Sequence, residues 1–196
     1  MCFKNTLQTY GVIAKTFHWV MAVLIIILLV VGLIMAEMEN SPDKFKLIGI
    51  HKEIGIVVLC LAVLRLGWKI LDVSPLLPAS IGKIAQLGAK ALHLALYALM
   101  FAMPITGWLM SSAAGFPVSM FGLFIMPNLV DPDKEFGKDM NELHETLAWL
   151  LMCLIALHVL AALLHHFYYR DNILRRMLPN FRGKSNVQNS DTNTGC

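Results

Sequence analysis

The chain has 196 residues, of which 57% are hydrophobic and 15% charged, with a formal net charge of +3. Its mean hydropathy is +0.64. Soluble domains carry about a quarter charged residues, so an ordinary globular enzyme is excluded first and a membrane-embedded chain is the class to test.

A short lead precedes the first apolar run, "WVMAVLIIILLVVGLIMA", Trp19–Ala36. It meets the roughly 17–25 residues that a bilayer core demands. A helix is predicted from about Gly11 to Met38. The run exceeds a signal-peptide core and no small-residue cleavage site follows, so it reads as an uncleaved span. The turn Asn40–Asp43 leads into helix two, with its apolar run at Leu47–Leu71. Lys52, Glu53, Arg65 and Lys69 interrupt that run toward its ends, where they reach the interfaces.

A Pro-rich loop, Asp72–Lys83, precedes helix three, whose run Ala91–Met110 ends near Ser112. Pro104 and Gly107 inside it predict a kink. The connection Ala113–Asp139 begins "AAGFPVSMFGLFIMPNLV". That stretch is too apolar for a solvated loop and too rich in Gly and Pro for a span. It is expected to lie in the outer interface or to cap the bundle. Helix four is predicted from about Asp139 to Tyr169, with Thr146–Leu164 as its apolar core. Residues 179–196 are polar and expected to be disordered. The expected fold is all-α, an integral membrane four-helix bundle over residues 10–178.

Basic residues set the orientation. Lys4, Lys15, Arg65, Lys69, Lys83, Lys90, Arg170, Arg175, Arg176, Arg182 and Lys184 fall on one side. Lys44, Lys46, Lys52, Lys134 and Lys138 fall on the other, which is net acidic. Both termini are therefore expected to be cytoplasmic. The inner basic charge suits anionic lipid headgroups, and nothing calls for nucleic acid.

The seven histidines are His18, His51, His93, His144, His158, His165 and His166. An intramembrane ionisable group points to function. His144 and His158 are fourteen residues apart. That separation is about 21 Å along a helix with an angular offset of about 40°, so the two share a face at different depths. The topology sets His18 level with His158 near the inner side and His51 level with His144 near the outer side. Neither pair has the further ligands of a tetrahedral zinc site. Two imidazoles from opposite sides of a bundle suit haem iron with both axial positions filled, so two haems b are expected. The cysteines, Cys2, Cys60, Cys153 and Cys196, form no C-x-x-C-H motif, which excludes covalent attachment.

The same fourteen-residue interval leads from His18 to Gly32, at the outer level, and from His51 to Arg65, at the inner level. Gly32 leaves room for a porphyrin, and Arg65 is a candidate propionate contact. His165 continues the inward-facing stripe past the inner level and is a candidate quinone or proton-relay residue. Lys15, Trp19, Tyr168 and Tyr169 are candidates for its walls. His93 is either a spare donor or an alternative inner ligand.

The segments "GVIAKTFHWVMAVL", "GIHKEIGIVVLCLAVLRLGWK", "HLALYALMFAMPITGWLMS" and "LHETLAWLLMCLIALHVLAALLHHFYYRDNILRRML" resemble the bacterial cytochrome b561 family. The likeness covers nearly everything from Tyr10 to Leu178. It implies an inner-membrane protein with two non-covalent haems b on His18, His51, His144 and His158. It also implies electron transfer between a periplasmic donor and ubiquinone, with superoxide as the donor of some members and His165 on the quinone side. On this reading the protein is an electron carrier or a superoxide:ubiquinone oxidoreductase. Two rivals stay open at this point. One is a cytochrome subunit anchoring a partner dehydrogenase or serving a periplasmic carrier. The other is a haem-free transport or structural bundle.

Overall fold

A computed structural model describes residues 3–76 and 82–178. The tail expected at 179–196 lies outside the described residues. Four long helices are present: α1 (Val12–Glu37), α2 (Pro42–Leu71), α3 (Lys83–Ala113) and α4 (Lys134–Phe167). All four are long and apolar enough to cross a membrane. A two-stranded hairpin, β1 (Ser119–Met120) and β2 (Phe124–Ile125), lies between α3 and α4, and a short α5 (Ile173–Met177) follows α4.

The burial pattern is that of a protein whose solvent is lipid. Within α1, Met21 is fully buried, while Val20, Val23, Ile26, Ile27, Val30, Leu33 and Ile34 are exposed. A row of bare aliphatic side chains of that length would be untenable in water. The core is narrow. Met21, Val58, Ala62 and Met100 form its centre, with Leu24, Leu28, Leu61, Tyr97 and Phe101 around them. Backbone packing follows chain order, α1 on α2, α2 on α3 and α3 on α4. The α1–α4 seam is not among these close backbone contacts.

The helix ends are locally encoded. Ser41 caps α2 by accepting from Lys44 N, with Pro42 in the first turn. Pro104 sits inside α3 without ending it. Asp133 caps α4 by accepting from Glu135 N and Phe136 N. That cap starts α4 at Lys134, five residues before the expected Asp139. The acidic "DPDKEFGKD" thus reads as a capped first turn rather than as loop, because a side-chain carboxylate at a helix start satisfies otherwise orphan N–H groups.

The α3–α4 connection caps one end of the bundle, as expected, and it does so as a hairpin. Ser119 pairs with Ile125 and Met120 with Phe124. The tight turn places Phe121 at φ 53 and Gly122 at φ 72, the left-handed pair that suits strand twist. Val118 and Met120 are buried against Ile56, with Trp108 and Met126 packed beside them. Trp108 Nε1 donates to Pro127 O at 3.1 Å, and Leu129 N donates to Ser112 Oγ at 3.2 Å. Glu53 Oε1 accepts from Phe121 N at 3.2 Å. We refer to this as the hairpin end and to the opposite one as the terminal end.

The first and last described segments meet at the terminal end. Leu76 N donates to Leu7 O at 2.9 Å, and Arg176 Nη1 donates to Leu76 O at 2.7 Å. Asn5 N donates to Asp72 Oδ2 at 2.9 Å, and Trp19 Nε1 donates to Met177 O at 2.9 Å. The lead is therefore a strap laid on the α2 exit, to whose Leu76 α5 also bonds. Gly11 permits it, since a Cβ there would stand 2.3 Å from Phe3 O and 2.5 Å from Lys4 O. Both contacts are backbone and cannot yield cheaply. Gly11→Ala is expected to release the strap and cost about 1–3 kcal/mol of stability. Limited proteolysis within residues 3–10 measures the release, and cleavage unchanged from the parent would contradict it.

Candidate functional site

The structure brings together both histidine pairs named from the sequence. His18 on α1 and His158 on α4 have ring centroids 6.2 Å apart. His51 on α2 and His144 on α4 have centroids 6.5 Å apart. Two imidazoles bound to opposite sides of one ion through metal–nitrogen bonds of about 2.0 Å have centroids about 6.3 Å apart. Both pairs have that spacing. Among the described residues no group of three or more His, Cys, Asp or Glu is arranged to hold a bare metal ion.

At the hairpin end, Thr106 orients one ring. Its hydroxyl donates to Met103 O at 2.9 Å and lies 3.0 Å from His144 Nδ1. A hydroxyl has one proton. With that proton on Met103 O, Thr106 accepts from His144 Nδ1–H and leaves the lone pair of His144 Nε2 free to ligate. This is the second-shell device that fixes a ligating histidine. Two glycines face the rings. A Cβ on Gly32 would lie 3.6 Å from His51 Cε1, and one on Gly107 would lie 3.2 Å from His144 Cε1. Gly32 was anticipated for its level. Gly107 was read as part of a kink, and its role is close approach. A cavity of about 600 Å³ opens here, lined by Gly32, His51, Gly55, Met103, Gly107 and His144 among others. That volume lies within the range of cofactor pockets. His51 Nδ1 is buried with no hydrogen-bond partner. Lys52, next to it, donates to Ser111 Oγ at 3.0 Å and Phe116 O at 3.2 Å.

At the terminal end three rings converge. His93 on α3 lies 5.4 Å from His158, centroid to centroid. Its Nδ1 is 2.7 Å from Ala89 O. A carbonyl only accepts, so Nδ1 carries the proton and Nε2 is free. Arg65 Nη2 is 3.2 Å from His18 Nδ1, and Arg65 Nε donates to Tyr97 OH at 3.3 Å. Lys69 Nζ stands 4.3 Å from the Tyr97 ring centroid. Neither cation is paired with a carboxylate among the described residues. Arginine cannot accept, so in this contact His18 Nδ1 accepts, and metal binding through Nε2 requires Arg65 to leave it. Burial raises the Tyr10 phenol above its ordinary value; Tyr97 acts in the same direction while Arg176 and Arg65 oppose it, so Tyr10 is neutral near pH 7.

His165 lies beyond this cluster, near the end of α4, with Nδ1 2.5 Å from Asp171 Oδ2. The Tyr169 ring is tilted against it at 5.2 Å. Trp19 bonds to α5 and Tyr168 is exposed. Thr106, Gly107, Tyr97 and Asp171 escaped sequence reasoning. Asp171 alone left a signal, an acid six residues after an end-of-helix histidine.

The residues present fit haem: paired imidazoles at metal-bridging distance, a proton fixed away from Nε2 in His144, and glycines where a side chain would fill the cradle. A four-helix membrane bundle with such pairs at two depths is the architecture of a membrane b-type cytochrome. The family model for prokaryotic cytochrome b561 matches residues 9–180, and the chain belongs to that family. Cytochrome b561 homolog 2 of Escherichia coli K12 is 37% identical over 179 residues, covering 91% of this chain and 95% of its own. A Yersinia pestis protein named probable superoxide oxidase CybB is 30% identical over 180 residues, covering 90% and 99%. Cytochrome b561 homolog 1 of Escherichia coli K12 is 36% identical over 91 residues, 46% of this chain and 51% of its own. Membrane electron transfer is the activity of the family, and haem b is the cofactor it implies.

Proposed function

We propose that the protein carries electrons across a bacterial inner membrane, from a one-electron donor on the periplasmic side to ubiquinone near the cytoplasmic side. Two haems b would be held without covalent attachment, one by His51 and His144 and one by His18 and His158. Haem b, when bound, supplies reversible one-electron chemistry at its iron. The observation that carries this reading is the two imidazole pairs with ring centroids 6.2 and 6.5 Å apart, each with one member on α4.

Each remaining task falls to named residues. Thr106 keeps the proton of His144 on Nδ1. Gly32 and Gly107 keep side chains out of the ring-facing space. Arg65, unpaired by any carboxylate among the described residues, is the cation for a propionate, and turning toward one frees His18 Nδ1. The charge bias of the loops supports a periplasmic hairpin end. His165, beyond the inner pair, faces the quinone oxygen. With both imidazoles of a pair ligating, a bound haem would have no position left for a further ligand.

Superoxide is the donor this reading favours. The Yersinia pestis relative bears the name of a superoxide oxidase, and Lys52 supplies a cation beside His51. The test uses purified, haem-loaded protein. An optical spectrum with a haem-to-protein ratio of two, and superoxide-driven reduction of an added ubiquinone, are the expected results. A folded protein with no reducible haem bands sinks the reading. Haem reduction only after a partner protein is added moves the donor from superoxide to that partner.

A further inference from the structure

Quinone reduction at the inner end consumes protons as well as electrons. Reducing a quinone to a quinol takes two electrons and two protons. The electrons arrive singly through the bundle, and the protons must come from a group touching the quinone oxygen.

The end of α4 is built to hold one such group in a single state. Tyr168 N and Tyr169 N both donate to Leu164 O, at 2.9 and 3.1 Å. Arg170 then takes φ 52, a left-handed conformation that reverses the chain after a helix and is uncommon without glycine. The reversal returns Asp171 N to His165 O at 3.1 Å. It also brings Asp171 Oδ2 to 2.5 Å from His165 Nδ1, while Asp171 Oδ1 accepts from Ile173 N at 3.0 Å. The carboxylate is thus held from both sides. It only accepts when ionised, so His165 Nδ1 carries a proton and Nε2 is the exchangeable atom. The His165 and Asp171 side chains are 24% and 15% exposed, sheltered yet open to water. The neighbouring His166 has no such partner, and its buried Nδ1 makes no hydrogen bond.

We infer that Asp171 is a positioning residue that makes His165 the proton donor to a quinone bound at this end. The inference rests on the proposed ubiquinone acceptor. In the step, the His165 Nε2–H bond breaks and an O–H bond forms on the quinone oxygen as an electron arrives. The lone pair stays on Nε2, and imidazolium becomes neutral imidazole. Asp171 remains an anion and accepts from Nδ1–H throughout, steadying the charged ring before transfer. Water at the terminal end returns the proton to Nε2, and the second electron completes the quinol as the opposite quinone oxygen takes its proton from water.

The test mixes pre-reduced, haem-loaded protein with a short-chain ubiquinone and follows haem reoxidation. It compares the parent with Asp171→Asn, Asp171→Glu and His165→Gln. Asparagine keeps an oxygen for Ile173 N, so the turn survives. Asp171→Asn is expected to slow reoxidation about 10–100-fold, less than the roughly 10²–10⁴-fold of a whole general acid because His165 itself remains. The half-saturating quinone concentration should not change, and Asp171→Glu should restore part of the rate. His165→Gln should be at least as slow as Asp171→Asn. Histidine ¹⁵N spectra should show His165 protonated at Nδ1 in the parent and moved toward Nε2–H in Asp171→Asn.

A parental rate in Asp171→Asn, or a loss confined to half-saturation, overturns the inference and leaves the acceptor assignment standing. An unchanged His165 tautomer overturns it as well. If ubiquinone fails to reoxidise even the parent, the acceptor assignment falls and takes the inference with it.

Discussion

His144→Ala is expected to halve the haem content and to leave the remaining haem with an unaltered low-spin bis-imidazole spectrum. The hairpin-end site depends on two rings, and without His144 only His51 is left at that level. The terminal-end pair is fourteen residues further along the helix, about 21 Å away. Sites separated by more than about 10 Å without shared partners behave independently. The pyridine haemochrome assay against protein concentration measures the ratio, and electron paramagnetic resonance reports the ligands that remain. Loss of both haems from a protein that still folds would refute the pairing. The mirror variant, His158→Ala, is less clean. His93 lies 5.4 Å from His158, ring to ring, and hydrogen bonding to Ala89 O leaves its Nε2 free. A third imidazole is at hand to fill the gap.

Gly107→Leu is expected to abolish the same haem while leaving every histidine in place. A Cβ at that position already comes within 3.2 Å of His144 Cε1 and 3.5 Å of Nδ1. The rest of a leucine side chain would have to occupy the space beside His51 and His144. Thr106, the preceding residue of α3, holds His144 Nδ1 at 3.0 Å, so the ring cannot swing aside without losing the bond that sets its tautomer. Overpacking costs about 1–3 kcal/mol, while the cavity beside Gly107 gives the new atoms somewhere to go, so folding should persist. The haem ratio should fall by half in a protein whose circular dichroism matches the parent's. A normal ratio would show that the glycine serves helix packing alone. Gly32→Leu is the graded control, because its Cβ would lie at the looser distance of 3.6 Å from His51.

The two variants separate what sequence could and could not say. The spans were legible because apolar runs of bilayer length have few alternatives. The juxtaposition of His18 with His158 and of His51 with His144 was legible because helical rise converts residue number into depth. Lateral information was not. Nothing in the sequence places Thr106 beside His144 or Tyr97 beside Arg65, because both contacts join different helices and depend on rotation about the axis. Gly107 looked like a flaw in a helix that also contains Pro104, and only the neighbouring ring explains it. The start of α4 was missed for a different reason. Asp133 and Pro132 sit in a polar stretch without apolar periodicity, and a cap is a local hydrogen bond rather than a pattern. The strap of residues 3–10, the hairpin and α5 were missed because short elements owe their form to the surfaces they dock on.

The placement of His144 and His158 on α4 has a last consequence, for tolerance to insertion. In the proposed assignment one rigid rod supplies a ligand to each redox site, so their separation is a covalent quantity that repacking of the other helices cannot stretch. A single residue added to α4 between the two histidines would lengthen that interval by about 1.5 Å and rotate one ring by about 100° relative to the other. One of the two rings would then face lipid. The same insertion in α3 between Gly88 and Leu92 would displace no axial ligand. The protein should therefore tolerate added length near the start of α3 far better than within the fourteen-residue interval of α4.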